Sequence, residues 1–320
     1  MREHELSAEP THSVWDRTLE PRLRIDPGDE VQIQCVDASG GQVRPGMTTG
    51  EYLAIDRTRI HALTGPIWIE GAEPGDVLEV DVLATRHSGW GWSSVVKGLG
   101  FLKDRFRQPY LFHWQLEGES TNSLSPAVVP LRPFLGVMGV ARAEDGSFRT
   151  RPPGPFGGNL DVRELCAGSR LFLPVFNRGA LFSCGDGHAA QGDGEVCING
   201  IECPLDVTLR FHLHKNQPLA GPLLTGPLID SSEAVAPDSS SDSWIVVETG
   251  TNLAEAARAA TGRMIDLLAS RCGMSDVHAY ILCSVALRLR LSQVVNEPVH
   301  TVSAALAKQI LPGKELFPVL

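Results

Sequence analysis

The alternation of apolar and polar residues predicts β-strands through the first two thirds of the chain. Val31–Val36 and Val77–Leu83 both alternate, and each run follows a Pro-Gly-Asp turn, at residues 27–29 and 74–76. We therefore predict a mainly β portion over residues 1–214. Further strand-like stretches in this portion cover residues 126–150, 168–176 and 196–213.

The C-terminal part of the chain has the periodicity of helices. Asn252, with Glu255 three residues later, is a predicted N-cap for a helix that ends at Gly273. A second helix begins at Ser275-Asp276, and two helices joined by about two residues form an antiparallel hairpin. The residues of the second helix that share one face are Val277, Tyr280, Ile281, Ser284 and Val285.

Composition separates the two parts. Residues 215–243 are rich in Pro, Gly and Ser, which is typical of a surface loop or linker. Residues 244–320 are then predicted as an α+β portion that packs on the first portion or intertwines with it. Residues 86–125 are rich in Trp and Gly with poor periodicity, so we predict a loop region that includes a short helix or a strand pair.

The overall charge excludes one class of partner. The 320-residue chain has 28 Lys and Arg against 38 Asp and Glu, a net charge of −10, whereas phosphate binding needs clustered basic residues. No run reaches about 18 apolar residues, and residues 1–5 are charged with no apolar stretch behind them. The seven Cys include no Cys-x-x-Cys pair. We expect a cytoplasmic protein with free thiols and no nucleic-acid or membrane partner.

The segment Cys184–Glu195 concentrates chemistry: it holds four Gly and three carboxylates around one His. Asp186 and His188 are two residues apart, so in an extended segment they project to the same side. No Lys or Arg lies between Arg178 and Arg210. Two carboxylates about 5 Å apart would repel by roughly 3 kcal/mol at an effective dielectric constant of about 20. Two interpretations stay open: a divalent metal ion bound by Asp186 and His188, or a solvated Gly/Asp turn. The uncompensated carboxylates are Asp186, Asp193, Glu195, Glu202 and Asp206.

Other polar residues can join such a site. Asn159 and Asp161 follow a Gly pair and can supply an amide and a carboxylate, or simply close an Asx-turn. Glu70 ends an alternating strand on the face of Trp68, where apolar surroundings would raise its pKa for general-base work; otherwise it is a solvated acid at a turn. His61, just before this strand, is a candidate neighbour of the site.

Several runs, in order along nearly the whole chain, resemble the acetamidase/formamidase family. The most specific is the seventeen-residue run from Gly179 to Glu195. The other matching runs are residues 65–76, 133–139, 152–154, 157–161, 173–176, 255–258, 264–266 and 291–296.

The resemblance implies hydrolysis of the C–N bond of a small linear amide to a carboxylate and ammonia. It also implies a β-sandwich portion joined to an α+β portion, a homo-oligomer, and a bound divalent metal ion such as Zn²⁺. The metal ligands it implies are Asp161, Asp186 and His188. The candidates it implies for the general base and for substrate positioning are Glu195, Glu70 and Gln191.

The chain also departs from the family pattern. Pro155 and Phe156 stand where a basic residue and a His are usual, Val162 replaces a polar residue, and Lys97 replaces a Pro. We predict a small acyl pocket lined by Phe156 and by Trp68 or Trp92, with Asn159 and His61 contacting the substrate. Two alternatives remain: a metal-free amidase with Cys184 as nucleophile, and a non-catalytic family member that keeps the fold.

Overall fold

The computed structural model describes residues 1–225 and 242–314, so residues 226–241 of the predicted 215–243 loop lie outside the described residues. Its helices are α1 (Thr49–Leu53), α2 (Leu253–Cys272) and α3 (Asp276–Ala286). Its strands are β1 (Glu3–Leu6), β2 (Val14–Trp15), β3 (Leu23–Ile25), β4 (Glu30–Cys35), β5 (Leu63–Ile69), β6 (Val77–His87), β7 (Trp90–Val95), β8 (Tyr110–Gln115), β9 (Ser120–Thr121), β10 (Val129–Pro130), β11 (Phe134–Gly139), β12 (Phe148–Arg149), β13 (Gly157–Asn159), β14 (Arg170–Pro174), β15 (Phe182–His188), β16 (Leu205–His214), β17 (Leu223–Thr225), β18 (Ser243–Gly250), β19 (Arg288–Gln293) and β20 (His300–Ala307).

A nine-stranded sheet runs through the described part of the chain in the order β1-β4-β16-β6-β14-β17-β18-β20-β19. Its pairs are antiparallel except for β1 with β4. The alternation that predicts β4 follows its burial, because Val31, Ile33 and Cys35 point inward while Gln32 and Gln34 are exposed. Strands from both sides of residues 215–243 therefore share one sheet.

A five-stranded sheet, in the order β13-β11-β15-β5-β3, packs against part of the large sheet. Phe182 of β15 and Phe211 of β16 meet edge to face, with ring centroids 5.2 Å apart, and both are fully buried. Burying aromatic rings of this size contributes strongly to the stability of the core. The mainly β fold with a sandwich and C-terminal helices is thus confirmed.

Helix α2 covers the other part of the large sheet. The Asn252 side chain accepts hydrogen bonds from the Ala254 and Glu255 N–H groups, and Gly273 ends the helix at a φ of +70°. The buried residues of α2 pack on β18 and β20; they are Ala256, Ala260, Met264 and Leu268.

Helix α3 presents its larger apolar side chains outward. Val277, Tyr280 and Val285 are 67%, 63% and 78% exposed, whereas Ala279 and Cys283 are buried against α2 and the sheet. The apolar periodicity therefore marks the helix correctly but not the side that packs inward.

The Trp-rich region 86–125 contains the antiparallel pair β7 and β8. Among residues 1–225 and 242–314, no helix combines the length and the apolar character needed to cross a bilayer.

Candidate metal centre

Five buried ionisable side chains converge where the end of β15 meets the residues that follow β13. The potential ligand atoms of Asp161, Asp186 and His188 all lie within 4.8 Å of one another, and the same holds for His188, Glu195 and Glu202. Each of the five is at most 6% exposed. We call this group the acidic centre.

Local backbone conformations aim these side chains inward. Asp186 and His188 lie on β15, Asp161 follows β13, and a bridge joins His188 to Glu202. Asp161, Asp186 and Glu195 have φ values of +51°, +59° and +49°, in the left-handed region that non-Gly residues rarely adopt. Each residue in this conformation lowers the stability of the fold by roughly 1–3 kcal/mol, and residues strained in this way cluster at functional sites.

Gly136 of β11 has no side chain, and the acidic centre occupies the space that a side chain would need. A Cβ atom on this residue would lie 2.6 Å from Asp186 Oδ2, 2.7 Å from Asp161 Oδ1 and 2.9 Å from His188 Cε1. Any side chain at position 136 would therefore fill the gap between three of the candidate ligands.

Hydrogen bonds fix one end of several of these groups. His188 Nε2 lies 2.8 Å from Glu202 Oε1, Asn296 Nδ2 donates to Asp161 Oδ2 at 2.6 Å, and Gln191 Nε2 donates to the Asp161 carbonyl oxygen at 2.9 Å. A carboxylate that holds one imidazole nitrogen orients the ring, as in many metal sites.

Other polar atoms of the acidic centre are left without a partner. In the part of the chain that the structure describes, Asp161 Oδ1, Asp186 Oδ1, Glu195 Oε2, Glu202 Oε2 and His188 Nδ1 have no hydrogen bond although each is buried. No described Lys or Arg forms an ion pair with the four carboxylates. Buried polar atoms are normally satisfied, so these atoms indicate a group that binds between them.

The pKa values of the acidic centre also indicate that a cation binds there. Burial raises the pKa of the Asp161 carboxyl to about 7, and the charge of Asp186 adds to the effect. Burial also raises the pKa of Glu202 to about 8, and raises that of Glu195 well above its usual range. Burial alone would lower the pKa of His188, but the neighbouring carboxylates outweigh it and raise this pKa well above the usual value. Without a cation, the centre retains protons.

The donor set fits a divalent metal ion. Carboxylate oxygens and an imidazole nitrogen are ligands of Zn²⁺ and of similar first-row ions, and a cation would satisfy the unpartnered oxygens and offset their repulsion. The solvated-turn interpretation of residues 184–195 requires exposed acids, whereas Asp186 is 2% and Glu195 6% exposed.

The structure also brings three further predicted residues near the centre. His61 Nε2 lies 4.0 Å from Asp186 Oδ2, and burial lowers the pKa of this His. Asn159 is buried just before Asp161, and within the described chain its Oδ1 atom has no partner. Gln191 is held on Asp161 as described above.

The side chains of four predicted residues lie elsewhere. Glu70 is on the exterior with Arg24 Nη1 at 3.7 Å, and the Arg24 guanidinium also lies over the Trp68 ring, 4.4 Å from its centroid. Phe156 packs edge to face on Trp15, with centroids 5.3 Å apart, and lines a surface groove of about 310 Å³ instead. The Trp92 ring packs on Tyr52 in a separate small apolar cluster, although the Trp92 backbone pairs with that of Glu202.

Glu202 of the acidic centre, and Asn296 beside it, were not predicted as site residues from the sequence. The one feature of the sequence that points to Glu202 is its place among the carboxylates between Arg178 and Arg210, where no basic residue occurs. Asn296 ends the matching run 291–296, yet nothing in that run indicates that its side chain reaches Asp161, 135 residues away.

Comparison with known proteins agrees with the resemblance. Residues 2–145 and 140–312 match the sequence model of the Acetamidase/Formamidase family. The chain is 30% identical over 244 residues to a formamidase of Methylophilus methylotrophus and 31% identical over 256 residues to an acetamidase of Mycolicibacterium smegmatis. These matches cover 59% and 60% of this chain and 60% and 63% of the relatives, so it spans about three fifths of their length.

A solved structure extends the similarity to the whole fold. The crystal structure of an acetamidase from Bacillus halodurans superposes with a TM-score of 0.86 at 32% identity, over 96% of this chain and 98% of that chain. The predicted resemblance is confirmed: the chain belongs to the acetamidase/formamidase family.

Proposed function

We propose that this protein hydrolyses the C–N bond of a small linear amide to a carboxylate and ammonia, and that it uses a divalent metal ion bound in the acidic centre. The carboxylate and imidazole ligands of the centre favour Zn²⁺. The observation that carries the proposal is a buried group of four carboxylates and one His that has unpartnered atoms and, among the described residues, no Lys or Arg in ion-pair contact. The names of the relatives, formamidase and acetamidase, supply the substrate class.

Asp161, Asp186 and His188 would hold the ion. A divalent ion bound there would polarise an amide carbonyl and lower the pKa of water in its coordination shell. Glu202, hydrogen-bonded to Nε2 of His188, keeps the imidazole ring oriented. The same nitrogen lies 3.7 Å from Asp186 Oδ1 and 3.9 Å from Glu195 Oε1, so it is the imidazole nitrogen that faces the carboxylates.

Glu195 is the residue we propose as general base. Its Oε1 lies 3.9 Å from His188 Nε2, and among the described residues its Oε2 has no partner. Burial raises its pKa well above the usual range, and the charge of Asp161 adds to this. A carboxylate with a raised pKa takes a proton from water more readily and can pass it to the leaving nitrogen.

Small and apolar residues pack against these groups. Gly136 is the floor between Asp161 and Asp186, and the Phe134 ring stands edge to face against His188, with centroids 5.1 Å apart. An apolar wall next to the ligands favours formamide- or acetamide-like substrates over charged ones.

The direct test measures ammonia release from formamide, acetamide and propionamide together with the metal content of the purified protein. We expect turnover of at least one amide, loss of turnover after chelation, and recovery when Zn²⁺ is returned. Full activity in metal-free protein would contradict the metal-dependent scheme. Background ammonia release from all three amides with Zn²⁺ restored would instead support the non-catalytic alternative.

The cysteine alternative is tested with the same assay. Cys184 is fully buried with its Sγ atom 3.9 Å from Cys35 Sγ, and this neighbour together with burial raises its thiol pKa well above the usual value. A nucleophilic Cys needs a thiolate, which this environment disfavours. We therefore expect iodoacetamide, and the substitution Cys184→Ala, to leave the folded protein's turnover unchanged within about twofold.

A further inference from the structure

The connection between β19 and β20 is stiffened by one buried amide. The Gln293 side chain accepts hydrogen bonds through Oε1 from the N–H groups of Val295 and Asn296, at 3.0 and 2.9 Å. Through Nε2 it donates to the Val299 carbonyl oxygen at 3.1 Å and to Thr301 Oγ1 at 3.0 Å. Because Gln293 is fully buried and both ends of its amide are bonded, it fixes the backbone that carries Asn296.

Asn296 links this connection to the acidic centre. It is 5% exposed, and its Nδ2 donates to Asp161 Oδ2 at 2.6 Å. Within residues 1–225 and 242–314, the other carboxylate oxygen, Oδ1, has no hydrogen bond, and it lies 2.7 Å from the position of a Cβ atom built on Gly136. One oxygen is therefore held while the other is left facing the centre.

The chemistry of an amide suits this arrangement. A Lys or Arg donor at the same place would compensate the negative charge of Asp161 and compete with a cation. The neutral amide of Asn296 orients the carboxylate and leaves its charge available to a bound ion.

The same strand end also holds the loop that carries Glu195. Gln191 Nε2 donates to the Ser292 carbonyl oxygen at 3.3 Å as well as to that of Asp161. The Gly194 N–H donates to the Ser292 carbonyl oxygen at 3.2 Å, and the Val294 N–H donates to the Gly194 carbonyl oxygen at 3.1 Å. The C-terminal part of the chain thus contacts the centre from two sides.

We infer that Asn296, held in place by Gln293, is a positioning residue that orients Asp161 for metal binding. The inference rests on the proposed function, because it assumes that the acidic centre binds a divalent ion. Removal of the hydrogen-bond donor should weaken metal binding by about 10- to 100-fold, the range found when a residue that orients a metal ligand is removed.

The test compares Zn²⁺ dissociation constants of metal-free wild type, Asn296→Ala and Asn296→Leu, measured by competition with a chromogenic chelator. Alanine leaves a void, whereas leucine has the same branched shape and the same number of side-chain heavy atoms as asparagine, and both lack the donor. We expect the dissociation constant to rise about 10- to 100-fold in both variants. The visible absorption of the Co²⁺-loaded protein should change in both, because the carboxylate of Asp161 is no longer held.

Asn177→Ala is the matched control. Asn177 is also a partly buried amide, and it donates to the carbonyl oxygens of Ala141 and Arg142 at 2.9 and 2.7 Å. We expect its substitution to lower the thermal stability of metal-free protein about as much as Asn296→Ala, with Zn²⁺ affinity and the Co²⁺ spectrum unchanged.

The outcomes separate the two proposals. If wild type binds Zn²⁺ and both Asn296 variants bind it as tightly, the inference is overturned while the proposed function stands. A loss confined to Asn296→Ala would also overturn it, because the void and not the donor would be responsible. If wild type binds neither Zn²⁺ nor Co²⁺, the metal-dependent function fails and the inference fails with it.

Discussion

Among the described residues, the acidic centre and a group of charged side chains on the large sheet are organised in opposite ways. On the large sheet, both oxygens of Glu79 are engaged: Oε1 lies 3.1 Å from Arg170 Nη1 and Oε2 lies 2.5 Å from His214 Nε2. Nearby, Asp81 lies 3.4 Å from His212 Nε2. We call this group the sheet cluster. In the acidic centre, by contrast, four carboxylates share one His.

The pKa values follow this difference at Glu79 but not at Asp81, whose pKa is raised by burial and by the charge of Glu79. Burial would raise the pKa of Glu79, but His214 and Arg170 outweigh it and lower this pKa below its usual range. In the acidic centre, burial raises the pKa of Asp161 to about 7 and that of Glu202 to about 8. A buried carboxylate with cations around it stabilises the fold, whereas one among other carboxylates destabilises it until a cation binds.

The comparison shows that burial of charge is not by itself a sign of function. The sheet cluster supplies its own counter-charges, and among the described residues Asp81 Oδ1 is its one carboxylate oxygen without a hydrogen-bond partner. The acidic centre lacks such compensation, and that deficit is the feature that suggests a ligand.

The largest expected effect is on catalysis. Glu195→Gln keeps the shape of the side chain and removes its ability to accept a proton. We expect kcat for the best amide substrate to fall by about 10²–10⁴-fold, the usual contribution of a general base. The Zn²⁺ content of the variant should stay at the wild-type value, and its loss would show that Glu195 is needed for binding and not only for proton transfer.

The next effect tests the space at the floor of the acidic centre. Gly136 does not have a positive φ, so Gly136→Ala is expected to act by filling the gap between Asp161 and Asp186. We expect Zn²⁺ binding to weaken and amide turnover to fall by about 10²-fold, the cost of a displacement of about 1 Å at a reacting site. Gly192→Ala is the control, because a Cβ atom there would meet nothing within 4 Å.

A pair of substitutions should change stability in opposite directions. Glu79→Gln removes a bonded charge from the sheet cluster, so we expect the free energy of unfolding to fall by about 2–3 kcal/mol with Zn²⁺ content unchanged. Asp161→Asn removes an uncompensated charge, so the metal-free protein should gain roughly 1–3 kcal/mol at pH 8. Urea unfolding of both variants measures the change in the free energy of unfolding. Changes of the same sign in the two variants would contradict the contrast between the two groups.

The stability of the metal-free wild type should also depend on pH. Asp161 and Glu202 have folded pKa values of about 7 and about 8, against about 3.9 and 4.3 in an unfolded chain. Between these values the folded state binds more protons, so stability should fall as pH rises from about 5 to 8, by up to roughly 1.4 kcal/mol per pH unit for each of the two groups. The Glu79 contribution runs the other way, since its lowered pKa adds stability above about pH 4 that is lost on acidification.

Helix ends were predictable because capping chemistry is local. Asn252 and Gly273 bound α2 as the sequence indicates, since a side-chain acceptor and a left-handed φ serve only the neighbouring turn. The inward face of α3 was not predictable in this way. Ala279 and Cys283 pack closely on α2, and the bulkier apolar residues are left outside, which depends on tertiary contacts.

The candidate site was predictable only in part. Asp186 and His188 are two residues apart, so their proximity follows from local geometry, with His188 Nε2 3.7 Å from Asp186 Oδ1. Glu70 directly follows β5, where the alternation predicts a buried or an exposed position equally well, and it pairs with Arg24 on the exterior. The approach of Asn296 to Asp161 depends on how distant strands register, which no local pattern encodes.

The nine-stranded sheet has a consequence for how this protein can be altered. Its hydrogen bonds continue from β14 to β17 and β18, and the connection after β19 supplies Asn296 to Asp161. A chimaera that takes its first 225 residues from one family member and the remainder from another must therefore match both the strand edges and the Asn–Asp contact. Recombination between relatives should yield working proteins only where the two parent proteins match in both the strand edges and the Asn–Asp contact.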